Sequence, residues 1–207
     1  MMPAATRLVI FAKAPQAGLA KTRLIPALGA AGAAELARQM LTHSLAQALA
    51  TGAQTVELCM SPADGDPAWR GVALPGAVKL SAQGEGDLGE RMNRAMYRAL
   101  TQQAAVLLMG SDCPALSAAH MAEAARQLVH HDAVLIPAAD GGYVLIGLKT
   151  PCPKVFAPMA WSTSVVAAET LQRFAELKKR VWLGPTLQDI DDAVDMVHLP
   201  DTFSLNF

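Results

Sequence analysis

Short apolar runs rich in Val, Ile and Leu alternate with longer segments of helical periodicity along the sequence. The first pair is "RLVIF" (residues 7–11), which predicts a strand, and "AAELARQMLTHSLAQALA" (33–50), which predicts a helix. Further strands are predicted at 55–61, 78–83, 104–110, 132–139, 143–148 and 180–184, and further helices at 88–103, 117–129 and 164–179. This alternation is typical of a mostly parallel sheet between two helical layers. We therefore predict one three-layer α/β/α, Rossmann-like domain over residues 1–207.

One interval between predicted strands is too short to contain a helix. Only Asp140, Gly141 and Gly142 separate the strand that ends near residue 139 from the strand that begins at Tyr143. A parallel crossover needs a dozen or more residues, whereas Asp and Gly are typical of tight hairpins. These two strands are therefore predicted to pair antiparallel, which makes the sheet mixed.

The overall composition excludes several classes of function. A formal net charge of −1 argues against broad electrostatic binding to nucleic acid or to an anionic membrane. Apolar runs such as "AAVLLMG" are shorter than the ~18 residues that span a bilayer. The three cysteines are widely spaced and predict neither a disulfide framework nor a zinc site. We expect a cytoplasmic protein whose ligands are small molecules, with no nucleic acid partner and no membrane span.

The loop "FAKAPQAGLAKTRL" (residues 11–24) contains three cations and no acidic residue. It follows the first predicted strand, and α/β domains usually bind ligands at the carboxyl ends of their strands. Lys13 and Lys21 supply point charges, Arg23 can bind two phosphate oxygens at once, and Gly18 allows a ligand to approach the backbone closely. The loop is predicted to bind a nucleoside di- or triphosphate, and an ordinary solvated loop is the alternative.

Neither of the two common phosphate-binding fingerprints is present in this loop. A P-loop places Gly directly before its Lys, whereas Ala20 precedes Lys21 here. The dinucleotide fingerprint G-x-G-x-x-G is also missing, and "QGEGDLGER" offers only a similar pattern that opens a later helix. We therefore expect neither a P-loop kinase nor a dehydrogenase.

Asp112 in "SDCP" directly follows the strand predicted at 104–110, which should lie at the centre of the sheet. Mg²⁺ and Mn²⁺ prefer oxygen ligands and are commonly shared between carboxylates and a phosphate. Asp112 is therefore predicted to bind such a metal. The alternative is that it caps the following helix, although Ser117 is better placed for that role.

The segment "QDIDDAVD" supplies more carboxylates beyond the last predicted strand. We predict that Asp191 is the second metal ligand. Its neighbours Asp189, Asp192 and Asp195 are interpreted as a solvated face or a helix start.

Two further groups complete the predicted site. Asp140, Gly141 and Gly142 are standard hairpin residues, and Asp140 is also predicted to accept a hydrogen bond from an acceptor hydroxyl while the glycines leave space for it. Gln83, which carries a donor and an acceptor, is predicted to read the edge of a nucleobase.

In "GDLGER", Asp87 and Glu90 predict a capping box at the start of a helix. The arginines of that helix are interpreted as solvated: Arg91, Arg94 and Arg98.

Taken in order, "FAKAPxxGxxKTRL", "GDLGERM", "GSDCP", "DGGY", "WST" and "DIDxxxD" resemble a family of small bacterial proteins usually labelled glycosyltransferases. The match covers nearly the whole chain. That family resembles the GT-A branch of the nucleotide-diphospho-sugar transferase superfamily, and its first loop is similar to that of 2-phospholactate guanylyltransferase. More distantly, the chain resembles molybdenum cofactor guanylyltransferase.

The resemblance implies a GT-A fold and a metal-dependent transferase in which Lys13, Lys21 and Arg23 contact phosphates. It also implies that Asp112 binds the metal and that Asp191 completes its shell. The predicted catalytic residues are accordingly Lys21, Arg23 and Asp112. The D-x-D pair of many GT-A sugar transferases is replaced by the single carboxylate of "SDC". Glycosyl transfer, nucleotidyl transfer and a catalytically inactive nucleotide-binding protein all stay open, and "WSTS" (161–164) has no assigned role.

Overall fold

The computed structural model describes residues 2–3 and 5–203. Its strands are β1 (Thr6–Lys13), β2 (Thr55–Ser61), β3 (Lys79–Ala82), β4 (Ala105–Gly110), β5 (Ala133–Pro137), β6 (Tyr143–Leu148) and β7 (Val181–Leu183). Its α-helices are α1 (Ile25–Ala50), α2 (Leu88–Leu100), α3 (Ala118–His130) and α4 (Val166–Glu176). Short 3-10 helices lie at Thr22–Leu24, Pro67–Trp69, Pro153–Phe156 and Asp195–His198. The predicted order of strands and helices is confirmed.

The strands form a mixed sheet in the order β3-β2-β1-β4-β6-β5-β7. β1 pairs parallel with both β2 and β4, whereas β6 is antiparallel to β4 and to β5. The short turn before Tyr143 therefore forms the predicted hairpin, and β6 is inserted between the two strands that precede it in the chain. β4 occupies the middle of the sheet, as predicted.

Alternation along β1 distributes its side chains between two apolar layers. Leu8 and Ile10 pack on one face with buried residues of α1 and α3, and Val9 packs on the other face with residues of α2 and α4. Both faces of a strand are buried in this way when helices cover both sides of a sheet. The predicted three-layer arrangement is confirmed.

Two details of the helices differ from the predictions. α1 begins at Ile25 rather than at residue 33, and Gly29 interrupts it with a non-helical φ of 69°. Pro26 lies in its first turn, a position that proline tolerates because the first N–H groups of a helix lack partners anyway.

A buried ion network joins the neighbouring strands β1, β2 and β3 to α2. Arg7 Nη1 donates to Glu57 Oε2 at 3.1 Å, and Arg7 Nη2 donates to Gln102 at 2.8 Å. The other carboxylate oxygen of Glu57 accepts from Ser81 at 2.6 Å and from Arg98. Arg98 was expected to be solvated, and this expectation is wrong because its guanidinium turns inward to the buried carboxylate. Arg7 Nε is buried without a hydrogen-bond partner.

The three cysteines are buried and free. Burial raises the pKa of the Cys59 and Cys152 thiols and raises that of Cys113 to about 12. Among the described helices, none combines the length and the apolar character needed to cross a membrane.

Candidate functional site

A cavity of about 650 Å³ opens at the carboxyl ends of β1 and β4. The chain continues from β1 to β2 on one side, whereas β4 lies on the other side of β1, so this is the point at which the strand order reverses. Open α/β sheets bind ligands in the crevice at such a point. Most of the predicted site residues line this cavity: Lys13, Lys21, Arg23, Gln83, Asp112, Asp140, Gly142 and Asp191. Gly18 and Gly141 are not part of its wall.

The basic loop is shaped by its backbone and by one apolar anchor. Gly18 has φ of 81°, which favours glycine, and Lys21 adopts a left-handed conformation with φ of 45° directly before the 3-10 helix. Leu24 at the end of that helix is fully buried and fixes the loop to the protein. Lys13 is the exposed last residue of β1 and has no ion-pair partner among the described residues.

Lys21 points away from solvent and contacts two carboxylates. Its Nζ donates to Asp191 Oδ1 at 2.8 Å and to Asp112 Oδ2 at 3.4 Å. Burial by itself would lower the pKa of the Lys21 ammonium, but the charges of Asp112 and Asp191 outweigh burial, so its pKa is raised. Arg23 Nη1 lies 3.5 Å from Asp191 Oδ2 and is largely exposed. Asp191 therefore faces two cations.

Three carboxylates converge beside this ion pair. Asp140, Asp189 and Asp191 each offer an oxygen within 4.8 Å of the others. Burial, followed by repulsion from Asp140 and Asp191, raises the pKa of Asp189 to about 6. Carboxylates that crowd together in this way are the ligand type that Mg²⁺ and Mn²⁺ prefer, so the donor set fits a divalent cation. Asp112 lies outside the set, and sequence reasoning did not select Asp189.

The acidic segment is held in place by main-chain contacts. The Ile190 N–H donates to the carbonyl of Asp112 at 2.9 Å, and the Ile190 side chain is fully buried. Asp189 and Asp191 are the residues on either side of this anchor. Asp195 accepts hydrogen bonds from the backbone N–H groups of Asp191 and Asp192, each at 2.9 Å. Asp195 thus has a structural role here, and Asp192 is exposed.

The turn between β5 and β6 brings Asp140 to the cavity. Asp140 Oδ1 accepts from the Gly142 N–H at 2.7 Å. Gly141 has φ of 90°, and a Cβ at this position would lie 2.1 Å from the carbonyl oxygen of Ser164. Gly141 is therefore needed for the close approach of two segments, whereas Asp140 and Gly142 form part of the cavity wall.

The "WSTS" motif forms another part of the same wall. Trp161, Ser162 and Thr163 line the cavity, and the Trp161 ring packs so closely on Gly89 that a Cβ there would lie 2.5 Å from it. Ser162 has φ of 62°, an uncommon conformation for a residue with a side chain. The sequence offered no role for this motif, and the fold brings it to the same cavity as the basic loop.

The helix α2 begins at Leu88, as predicted, and Leu88 lines the cavity. Asp87 accepts from the Glu90 N–H and Glu90 accepts from the Asp87 N–H, so the predicted capping box is confirmed. Gln83 is buried, and its amide nitrogen donates to the carbonyl oxygens of Ala12 and Cys59 at 3.3 and 3.1 Å. Since its donor group is engaged within the fold, only its Oε1 is left for the predicted contact with a base.

A family profile described as "Uncharacterized protein conserved in bacteria (DUF2064)" matches residues 44–163. The chain belongs to this family. A search of curated proteins found no significant match.

Solved structures extend the comparison. A candidate nucleotide-diphospho-sugar transferase from Desulfovibrio desulfuricans G20 is 32% identical, with a TM-score of 0.87 over 94% of this chain and 85% of its own. Rv0371c from Mycobacterium tuberculosis H37Rv, solved with manganese, is 15% identical, with a TM-score of 0.58 over 94% and 96%. CMP:2-keto-3-deoxy-manno-octonic acid synthetase, solved with CTP, is 12% identical, with a TM-score of 0.60 over the same shares. The DUF2064 protein thus has the predicted fold of the nucleotide-diphospho-sugar transferase superfamily.

Proposed function

We propose that this DUF2064 protein is a divalent-metal-dependent transferase that acts on a nucleotide-diphosphate compound. The observation that carries the proposal is the shared cavity wall, on which the free Lys13 and the exposed Arg23 stand beside three convergent carboxylates. Cations bind phosphate oxygens, and carboxylates bind the metal ion that accompanies a polyphosphate. Neither group alone would favour this function over ordinary surface charge.

The proposed roles follow from the positions of the side chains. Lys13 and Arg23 bind the phosphates, while Asp140, Asp189 and Asp191 hold Mg²⁺ or Mn²⁺. When bound, such an ion would neutralise the negative charge that develops on a departing phosphate group. Asp112 is also proposed as a catalytic residue and metal ligand, because Lys21 Nζ contacts both Asp112 and Asp191 and so brings the two carboxylates close together.

Asp140 is also proposed to accept a hydrogen bond from the hydroxyl of a small-molecule acceptor, since it is the exposed member of the three carboxylates. The cavity of about 650 Å³ has a size typical of small-ligand sites. Three unpaired thiols support a reducing, cytoplasmic location.

Two chemistries suit this arrangement. In glycosyl transfer the acceptor hydroxyl attacks a sugar carbon and a nucleoside diphosphate departs, whereas in nucleotidyl transfer an acceptor phosphate attacks the α-phosphorus and pyrophosphate departs. The relative at 32% identity is described as a candidate nucleotide-diphospho-sugar transferase. This relationship favours glycosyl transfer as the first chemistry to test.

A thermal-shift screen of nucleotide sugars and nucleoside triphosphates, with Mg²⁺, Mn²⁺ or EDTA, tests the proposal. A donor present at about 100 times its Kd stabilises the native protein by about 2.7 kcal/mol. For a chain of this size that stabilisation raises Tm by roughly 5–10 °C. We expect the shift only with metal, and we expect Lys13→Met to reduce it while the Tm without ligand stays unchanged.

Analysis of the products separates the remaining alternatives. Release of a nucleoside diphosphate from a nucleotide sugar supports glycosyl transfer, and release of pyrophosphate from a triphosphate supports nucleotidyl transfer. Metal-dependent binding without turnover across an acceptor library would instead support an inactive nucleotide-binding protein. If no nucleotide raises Tm with either metal, the proposed function is wrong.

A further inference from the structure

Lys21 differs from the other cations of the basic loop. Arg23 has a side chain that is 67% exposed, whereas the Lys21 side chain is 14% exposed. The Lys21 ammonium is directed toward Asp191 at 2.8 Å and Asp112 at 3.4 Å and not toward open space in the cavity. A lysine whose first role was to bind phosphate would be expected to leave its ammonium available, as Lys13 does.

The local charges explain why the ammonium occupies this position. Four carboxylates surround it or adjoin its partners, those of Asp112, Asp140, Asp189 and Asp191. Repulsion among like charges at these distances destabilises the arrangement unless a cation is present. Lys21 supplies one positive charge between Asp112 and Asp191, and Arg23 adds a weaker, solvent-screened contribution at 3.5 Å from Asp191.

Asp191 belongs both to the ion pair with Lys21 and to the set of three converging carboxylates. Its Oδ1 accepts the Lys21 hydrogen bond, and the same carboxylate is one of the three that converge at the proposed metal site. A divalent ion bound there would be repelled by an ammonium that contacts one of its ligands. The two cations therefore compete for Asp191.

We propose that Lys21 is an internal counter-ion, which leaves Asp191 when a divalent metal binds and then becomes available to a phosphate of the nucleotide. This inference rests on the proposed function and concerns the regulation of the same site. The long, flexible side chain of lysine allows the ammonium to move while the backbone stays in place. Leu24, which is fully buried three residues further on, keeps the loop anchored during this exchange.

The exchange makes binding of metal and nucleotide cooperative. Before metal binds, a phosphate meets surplus negative charge, and the Lys21 ammonium is still paired with Asp191. Afterwards the carboxylates are neutralised and the ammonium is free. By linkage, nucleotide must strengthen metal binding by the same factor.

Titration calorimetry with Mn²⁺ alone, on metal-stripped protein without nucleotide, tests the counter-ion role. We expect Lys21→Met to bind Mn²⁺ about tenfold more tightly than the wild type, because one repelling charge has been removed. Lys21→Arg keeps that charge and is expected to behave like the wild type. Lys13→Met is the matched control, which removes a lysine of the same loop that has no carboxylate partner and should leave Mn²⁺ affinity within about twofold.

A second variant keeps the test valid if Lys21→Met folds poorly. Lys21→Gly also removes the ammonium and suits the left-handed backbone at φ of 45°. It is expected to show the same tighter binding of Mn²⁺. Melting curves in EDTA establish that each variant is folded before the titration.

The outcomes separate this inference from the proposed function. Tighter Mn²⁺ binding by both ammonium-free variants, with Lys21→Arg unchanged, supports the counter-ion. Measurable binding that is equal or weaker in those variants overturns the inference alone. Absence of Mn²⁺ binding by the wild type and by every variant overturns the inference together with the metal dependence of the proposed function.

Discussion

Two ion networks lie on the same sheet and differ in charge balance and exposure. Near the start of β1, Arg7 and Glu57 have side chains that are 4% and 3% exposed, and two guanidiniums meet a single carboxylate. At the carboxyl ends of the strands, Asp112 and Asp191 are 46% and 35% exposed, and carboxylates outnumber cations. In the first network, the negative charge of the single carboxylate is fully balanced by guanidiniums inside the protein. The second leaves negative charge that a further cation can neutralise, which distinguishes a candidate site from a structural network.

The largest effect on stability is expected from Glu57→Gln. This change leaves the buried Arg7 guanidinium without its carboxylate, and breaking a buried ion pair typically costs about 3–5 kcal/mol. Urea unfolding of the wild type and the variant measures the difference. Glu123→Gln, which removes the carboxylate of an exposed helical pair with Arg126, is the control and should change the free energy of unfolding by less than about 0.5 kcal/mol. A loss as small as that of the control would show that the inner network is not structural.

A smaller loss is expected from Ser81→Ala. Its hydroxyl donates to Glu57 at 2.6 Å and accepts from Arg98 at 2.9 Å. Removal should lower the free energy of unfolding by about 1–2 kcal/mol because a buried carboxylate loses a hydrogen bond. Thr42→Ala, whose exposed hydroxyl bonds the Arg38 carbonyl, provides a matched control. Equal losses of stability in the two variants would show that the hydrogen bond of Ser81 to the buried carboxylate contributes no more than the exposed one of Thr42.

Asp189→Asn is expected to act in the opposite direction in metal-free protein. The Asp189 pKa of about 6 in the folded state exceeds the ordinary aspartate value of 3.8, so the folded protein binds more protons than the unfolded chain between these values. Wild-type stability therefore falls as pH rises from about 4 to 6, and the variant lacks this decline. At pH 7 the variant should be more stable by about 1 kcal/mol, allowing for solvent screening of a partly exposed group.

Melting curves in EDTA across pH 4–8 measure this difference, and the same protein with Mn²⁺ supplies a second readout. The variant should lose most of the stabilisation that Mn²⁺ gives the wild type. Parallel pH profiles for the two proteins would show that Asp189 does not carry a raised pKa. An unchanged response to Mn²⁺ would remove Asp189 from the metal site.

The smallest effect on stability is expected from Asp112→Asn. Asp112 is half-exposed and lies 3.4 Å from Lys21, and exposed ion pairs contribute about 0–1 kcal/mol. Turnover, in contrast, should fall below detection if Asp112 has its proposed role. Full activity of a normally folded variant would exclude that role.

The fold was largely predictable because its signals are local. Leu8 and Ile10 alternate with Val9 in β1, and the short turn at Asp140–Gly142 dictated the antiparallel pair. The start of α1 was missed because Pro26 and Gly29 lower the apparent helical propensity of its first turns. Irregular helix starts of this kind depend on tertiary packing, which the hydrophobic periodicity of the sequence does not reveal.

The site was predictable only in part. Position after a strand selected Lys13 and Asp112, whose strands β1 and β4 are neighbours. The convergence of Asp189 with Asp140 depends on how the segment after β7 runs beside the end of β5, where the Ala139 N–H donates to the Leu187 carbonyl. No spacing in the sequence encodes this contact. The engagement of Lys21 by carboxylates was missed for the same reason.

The buried cysteines give the protein a built-in reporter of unfolding. Cys59, Cys113 and Cys152 react slowly with thiol reagents while the fold is intact, since thiolates are the reactive form and burial raises each pKa. Each global unfolding event exposes all three thiols to the reagent at once. When the molecule recloses faster than the thiols react, the rate of alkylation under native conditions therefore reports the fraction of molecules that are open. A single cysteine introduced on the exposed side of α2, in place of Tyr97, would accept a dye without competition from the native thiols.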